Sequence, residues 1–218
     1  MKTDYFHKID SEDKAYWLGF ILGDGCLRKD SYCIEIGLKA SDDGHLLKFA
    51  RIIEWDKELQ YRKQQIVGYA KVYNSVRIEI SNKEMYTDLL NLGLTSAKSL
   101  TAKWLKIPKK YERHMLRGLF DADGSVCSYR SYGAYRYARF SLAGTINCMK
   151  NANRILKIDS KITLGCGKCW IIRKSGNPSV LKIYNILYKN ATVWLDRKKE
   201  RFEDLLKIAA LPQARGIV

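Results

Sequence analysis

Two stretches decide how this chain reads: WLGFILGDG, Trp17 to Gly25, and LRGLFDADG, Leu116 to Gly124. Their final glycines stand 99 positions apart, and both run Gly-x-x-x-[Gly/Ala]-Asp-Gly. A glycine inside a helix costs about 1 kcal/mol against alanine, so it needs a reason to be there. Here Gly19 and Gly23, and Gly118 and Ala122, are four apart and so share one helix face. Small residues on a shared face let two helix backbones approach closely. The neighbours Leu18, Phe20, Ile21, Leu22, Leu116, Leu119 and Phe120 are apolar. The pattern predicts two helices packed on each other in a buried seam.

Each helix then ends on an acid, Asp24 or Asp123. A helix C-terminus is electronegative, so an acid there is disfavoured. With the helices side by side, about −1 per carboxylate and −0.5 per helix end leaves roughly −3 in one small volume. A bound cation offsets that charge, and oxygen donors of this kind suit Mg²⁺. The carbonyls of Gly23 and Ala122 are unpaired in a last helical turn and add candidate ligands. A single Asp-Gly marks only a turn. The same pattern at two equivalent places is far more specific.

Working outward, the flanks read as two copies of one unit. Ser11 is placed to cap the first helix, with Glu12 and Asp13 in its first turn, and Gly25 to stop it. Residues 32–39 alternate as a half-buried strand. Residues 43–53 have helical spacing, 58–66 and 70–80 read as a hairpin, and 82–92 as a helix. The second copy starts with a helix from Pro108 to Asp121 or Ala122. Strands near 125–130 and 135–142 follow, then a helix near 145–156, strands near 161–174 and 179–184, and a helix at about 196–209. Ile80-Ser-Asn82 and Ile183-Tyr-Asn185 are matched as flanks of the repeat, and Lys98 and Lys198 fall 100 apart. The expected fold is α+β: two αββαββα halves with antiparallel sheets, residues 1–98 and 111–218, joined by a linker at 99–110.

Bulk properties narrow the function. The 218 residues are 46% hydrophobic, enough to bury a core in each half. Lys plus Arg is 39 against 23 acids, a net charge of +16, which favours a polyanionic partner. No apolar run reaches the roughly 18 residues of a membrane span, and the opening MKTDYFHKIDSEDK is too polar for a signal peptide. The expected setting is therefore intracellular, away from membranes. The six cysteines are then not expected to form a disulfide framework. Cys166-Gly-Lys-Cys169 reads as a tight hairpin turn between strands.

At the two motifs the chain resembles the LAGLIDADG homing endonucleases of the single-chain, two-motif type. LRGLFDADG is the closer match; WLGFILGDG carries Leu22 where an acid is often found. The resemblance implies two pseudo-symmetric halves joined through the motif helices, with saddle-shaped sheets over the DNA major groove. It implies that Asp24 and Asp123 are catalytic and bind Mg²⁺, with Mn²⁺ or Ca²⁺ able to take its place, and that Gly23 and Ala122 lend carbonyls. Lys98 in SAKSL and Lys198 in LDRKKERF look like the family's basic residues beside the active site. The implied activity is a metal-dependent, site-specific double-strand DNA endonuclease. It would be a phosphodiester hydrolase acting as a monomer, intron-encoded, on a long pseudo-palindromic target, leaving short 3′ overhangs. An RNA-binding intron maturase of the same fold is the alternative; it need not keep both acids.

Base reading is expected from the polar strand faces. Candidate DNA contacts are Arg28, Lys39, Arg62, Lys71, Tyr73, Ser75 and Arg77 in the first half. In the second they are Arg130, Tyr135, Tyr137, Arg139, Lys168, Arg173 and Lys182.

Overall fold

The computed structural model describes residues 1–65, 72–96, 98, 100–130 and 136–210. In the first half the order is α1 (Glu12–Asp24), β1 (Gly25–Arg28), β2 (Cys33–Lys39), α2 (Asp43–Ile52), β3 (Gln60–Gln65), β4 (Val72–Ser81) and α3 (Lys83–Asn91). The second half has α4 (Glu112–Asp123), β5 (Gly124–Arg130), β6 (Arg136–Gly144), α5 (Ile146–Leu156), β7 (Ile162–Leu164), β8 (Trp170–Ser175) and α6 (Asn177–Tyr188). A further helix, α7 (Asp196–Ala210), follows.

Each half carries a four-stranded antiparallel sheet, ordered β1-β2-β4-β3 and β5-β6-β8-β7. The registers correspond. Gly25 lies opposite Ile36 and Ile36 opposite Ile78; Gly124 lies opposite Leu142 and Leu142 opposite Ile172. Side chains alternate across a strand, so Ile34, Ile36, Val76, Ile78 and Ile80 form one buried face, as do Val126, Phe140, Leu142 and Ile172 in the other half. The helices cover those faces. None of the described helices is long and apolar enough to cross a membrane.

Helix α1 is buried from Ala15 through Leu22, so it is apolar all round and central. Its partner is α4. A Cβ on Gly19 would overlap the Met115 carbonyl oxygen, and one on Gly118 the Tyr16 carbonyl oxygen. The glycines are thus there for backbone-on-backbone contact, as the four-residue spacing predicts. Ser11 caps α1 through Lys14 N at 3.2 Å.

Gly25 does end α1, as expected, and Gly124 ends α4; both have extended backbones, φ −75° and −86°. Their missing Cβ matters because it would press on Ile21 and Phe120. Several expectations need correction. Pro108 leads into a 3-10 turn, Lys109–Tyr111, and α4 begins only at Glu112. The strand expected at 179–184 lies within helix α6: Val180, Ile183 and Leu187 are buried at helical spacing, and Pro178 occupies the first turn. Its Val, Ile and Tyr content mimics a strand. The match of Ile80-Ser-Asn82 to Ile183-Tyr-Asn185 therefore fails, because Asn82 caps α3 whereas Asn185 is inside α6. The Cys166–Cys169 stretch is a turn between β7 and β8. Gly165 N donates to Cys169 O at 2.7 Å, and Gly167 and Lys168 have φ of 64° and 63°.

Candidate active site

The crossing of α1 and α4 brings their two C-terminal ends together. A Cβ on Gly23 would overlap that of Ala122 and stand 3.1 Å from Asp123 Oδ2. Asp24 and Asp123 both stay exposed to solvent at the paired helix ends. Desolvation by the packed helix ends, with the Asp123 charge added, pushes the Asp24 carboxyl up to about 6. Burial likewise raises Asp123. Lys98 and Lys198 work against the rise at both acids.

The two lysines are the most informative neighbours. Both are buried, an unusual state for lysine. Lys98 Nζ donates to Gly23 O at 2.5 Å. Lys198 Nζ donates to Phe120 O at 2.9 Å, Ala122 O at 3.1 Å and Gly124 O at 2.5 Å. Burial lowers the Lys98 ammonium and brings Lys198 down to about 8. Each lysine sits on the electronegative end of one motif helix, where a cation is favoured. The carriers differ: Lys98 follows α3 and belongs to none of the described helices or strands, whereas Lys198 lies in the first turn of α7.

The residues present fit a hard divalent cation. Two crowded carboxylates repel each other, carbonyls of Gly23 and Ala122 adjoin them, and a carbonyl engaged by one lysine keeps a second lone pair. Among the described residues no third His, Cys, Asp or Glu joins the pair, so remaining positions would fall to carbonyls, water or substrate. A small cavity of about 180 Å³ opens beside Asp123, lined by Leu22, Gly23, Lys98, Thr145 and Cys148.

The outer sheet faces hold most of the expected DNA contacts. Strand register places Arg28, Lys39, Arg62, Tyr73, Ser75 and Arg77 on the face opposite the core in the first half. Tyr137, Arg139 and Arg173 share the corresponding face of the second, and Lys168 is exposed in the β7–β8 turn. Lys71 and Tyr135 lie outside the described residues. Arg130 takes the other parity, opposite Arg136, and its side chain lies outside the described residues. Lys182 belongs elsewhere: it is exposed on α6, a helix packed on the core side of its sheet.

Sequence reasoning missed the acids of this face. Glu35 and Glu79 lie directly opposite each other on β2 and β4. Arg28 reaches Glu79 at 2.8 Å and Glu35 at 3.2 Å; Arg77 reaches Glu79 at 2.9 Å and Gln60 at 2.9 Å. The parity of β4 was enough to put Glu79 beside Arg77. The pairing with Arg28 needs the sheet order.

Comparison with known structures gives the fold a name: it is that of the LAGLIDADG homing endonucleases. The I-SmaMI meganuclease, solved on uncleaveable DNA, superposes with a TM-score of 0.62 at 13% identity, covering 93% of this chain and 89% of that one. I-LtrWI, bound to its target DNA, gives 0.60 at 10% identity over 95% and 90%. I-AabMI, on uncleaved DNA, gives 0.56 at 16% identity over 89% of both chains. No protein-family model and no curated protein matches the sequence.

Proposed function

We propose that this chain is a metal-dependent, site-specific DNA endonuclease, acting as a monomer on both strands of a long, pseudo-palindromic duplex and leaving short 3′ overhangs. One observation carries the reading. The α1–α4 crossing puts Asp24 and Asp123 together, with a buried lysine on each helix end, between two polar sheet faces. The net charge of +16 and the DNA-bound state of I-AabMI, I-LtrWI and I-SmaMI support it.

Arg28, Lys39, Arg62, Tyr73, Ser75, Arg77, Tyr137, Arg139, Lys168 and Arg173 contact phosphates and base edges, and so fix the duplex over the helix ends. Asp24 and Asp123, with the Gly23 and Ala122 carbonyls, hold divalent ions, one aspartate serving each strand. When bound, Mg²⁺, or Mn²⁺ in its place, neutralises phosphate charge and acidifies water. Lys98 and Lys198 present fixed ammonium donors to the charge that grows on the phosphate oxygens. Because the polar faces of the halves differ in sequence, the target is only approximately palindromic.

The test uses a randomised duplex library with Mg²⁺, followed by sequencing of the cut ends. Wild-type protein should yield one family of ends. Asp24→Asn and Asp123→Asn should bind the recovered duplex but not sever both strands, and both should lose part of the Mg²⁺-induced rise in melting temperature. Undiminished double-strand cutting by both variants sinks the assignment.

A further inference from the structure

The motif acid before Ala122 does something no catalytic role explains. Asp121 is 1% exposed, and its carboxylate accepts three hydrogen bonds. Tyr188 OH donates to Oδ1 at 2.5 Å; Tyr16 OH and Leu195 N donate to Oδ2 at 2.7 and 2.8 Å. Leu195 immediately precedes α7, and its own carbonyl accepts from Lys198 N at 3.0 Å and Lys199 N at 3.2 Å. The start of α7 is therefore pinned to the last turn of α4. One helical turn on, Lys198 lands on the carbonyls of Phe120 and Ala122 in that same turn and of Gly124 just beyond it.

Among the described residues the opposite half shows no such device. Leu22 stands at the equivalent motif position, and Lys98, in none of the described helices, reaches one carbonyl among the described residues. Two further contacts reinforce α7 from the first half: Arg197 pairs with buried Asp42 at 3.0 Å, and Lys48 with Asp196 at 2.8 Å. An apolar residue at position 121 would take the acceptor from the Tyr188 hydroxyl and the Leu195 amide, while the Tyr16 hydroxyl keeps His45 Nε2 at 3.0 Å.

We infer that Asp121 is a positioning residue: through the Leu195 amide it sets α7, and through α7 it sets Lys198, so the two cutting sites are built differently. This rests on the endonuclease reading for its consequence, not for its geometry. A buried acid held only for stability would affect both strands alike. A positioning acid affects the strand that Lys198 serves.

The experiment compares Asp121→Leu, which copies Leu22, with Asp121→Asn, whose amide oxygen can still accept from Leu195 N while its NH₂ donates to Tyr188 OH. The substrate is a duplex recovered by the library selection, labelled separately on each strand; Lys198→Met identifies the strand that depends on Lys198. Asp121→Leu should slow that strand at least tenfold relative to the other, and Asp121→Asn should stay within about twofold of wild type. The ratio of the two rates is insensitive to how much protein is folded. If the leucine variant does not fold, Asp121→Ser, too short to reach Leu195 N, carries the same test. In parallel, hydrogen exchange should quicken at the Leu195 amide in Asp121→Leu and not in β2 or β4. An inert wild type with that exchange change removes the endonuclease reading and keeps the brace. An active wild type with an unchanged strand ratio, or an unchanged Leu195 amide, overturns the inference.

Discussion

Replacing Asp24 by Asn should stabilise the metal-free protein, although the residue is assigned to catalysis. Its carboxyl is pushed up to about 6 from the model-compound value of 3.8, by burial and then by the Asp123 charge. For an acid, a raised folded pKa means the native state binds the proton more tightly than the unfolded chain. Stability therefore falls as pH rises from about 4 to about 6, and that loss persists above it. Two units correspond to about 3 kcal/mol at most. The side chain is open to solvent on one face, and screening brings this to about 1 kcal/mol. In a chain of this size that is a gain of about 2–4 °C in Tm. Thermal melts in a chelating buffer at pH 8 should show the gain, and melts near pH 4 should show it shrink, because Asp24 is then protonated in the wild type. With Mg²⁺ added the order should reverse, since ion binding to the native state stabilises the wild type more. An Asn variant less stable than wild type at pH 8 without divalent ions, and equally responsive to Mg²⁺, refutes the crowded-carboxylate account.

Gly118→Ala should lower Tm by roughly 6–12 °C, a cost of about 3 kcal/mol from forcing the helix backbones apart. Gly37→Ala, with open space around its Cβ, should be nearly neutral in the same melts. Removing either lysine, by Lys98→Ala or Lys198→Ala, should slow cleavage about 10²–10³-fold with DNA affinity little changed, measured by single-turnover kinetics and anisotropy. Glu79→Gln should remove one of the two acids that hold Arg28 and Arg77, leaving Glu35, and steepen the salt dependence of non-specific DNA binding by up to about one unit of slope. An unaltered slope would show that Glu79 does not hold the two arginines back from phosphate. His45 is buried and its pKa is lowered to about 3, so the unfolded chain takes up its proton first and stability drops as pH falls below about 6.5. His45→Gln should flatten that decline by up to about 1.4 kcal/mol per pH unit in denaturant titrations.

The sequence by itself determined the seam and the two acids. Glycines four apart in apolar helices, ending twice on Asp-Gly, leave little choice of partner, because the small faces have no other use. Strand alternation likewise put Arg77, Ser75 and Tyr73 on one polar face. These signals are local in the chain, with periods of two and 3.6. Tertiary structure alone decided the rest. The run Val180–Tyr184 has strand-like residues, yet packing on the sheet makes it helical, and so moves Lys182 off the outer sheet face. Lys98 and Lys198 are 100 positions apart and look like repeats, but one follows a short helix and the other opens an extra one. Glu79 neutralises Arg28 across 51 residues, and Asp121 holds Leu195 across 74. Which charges meet over such separations depends on how the chain is folded back, and no local pattern records it.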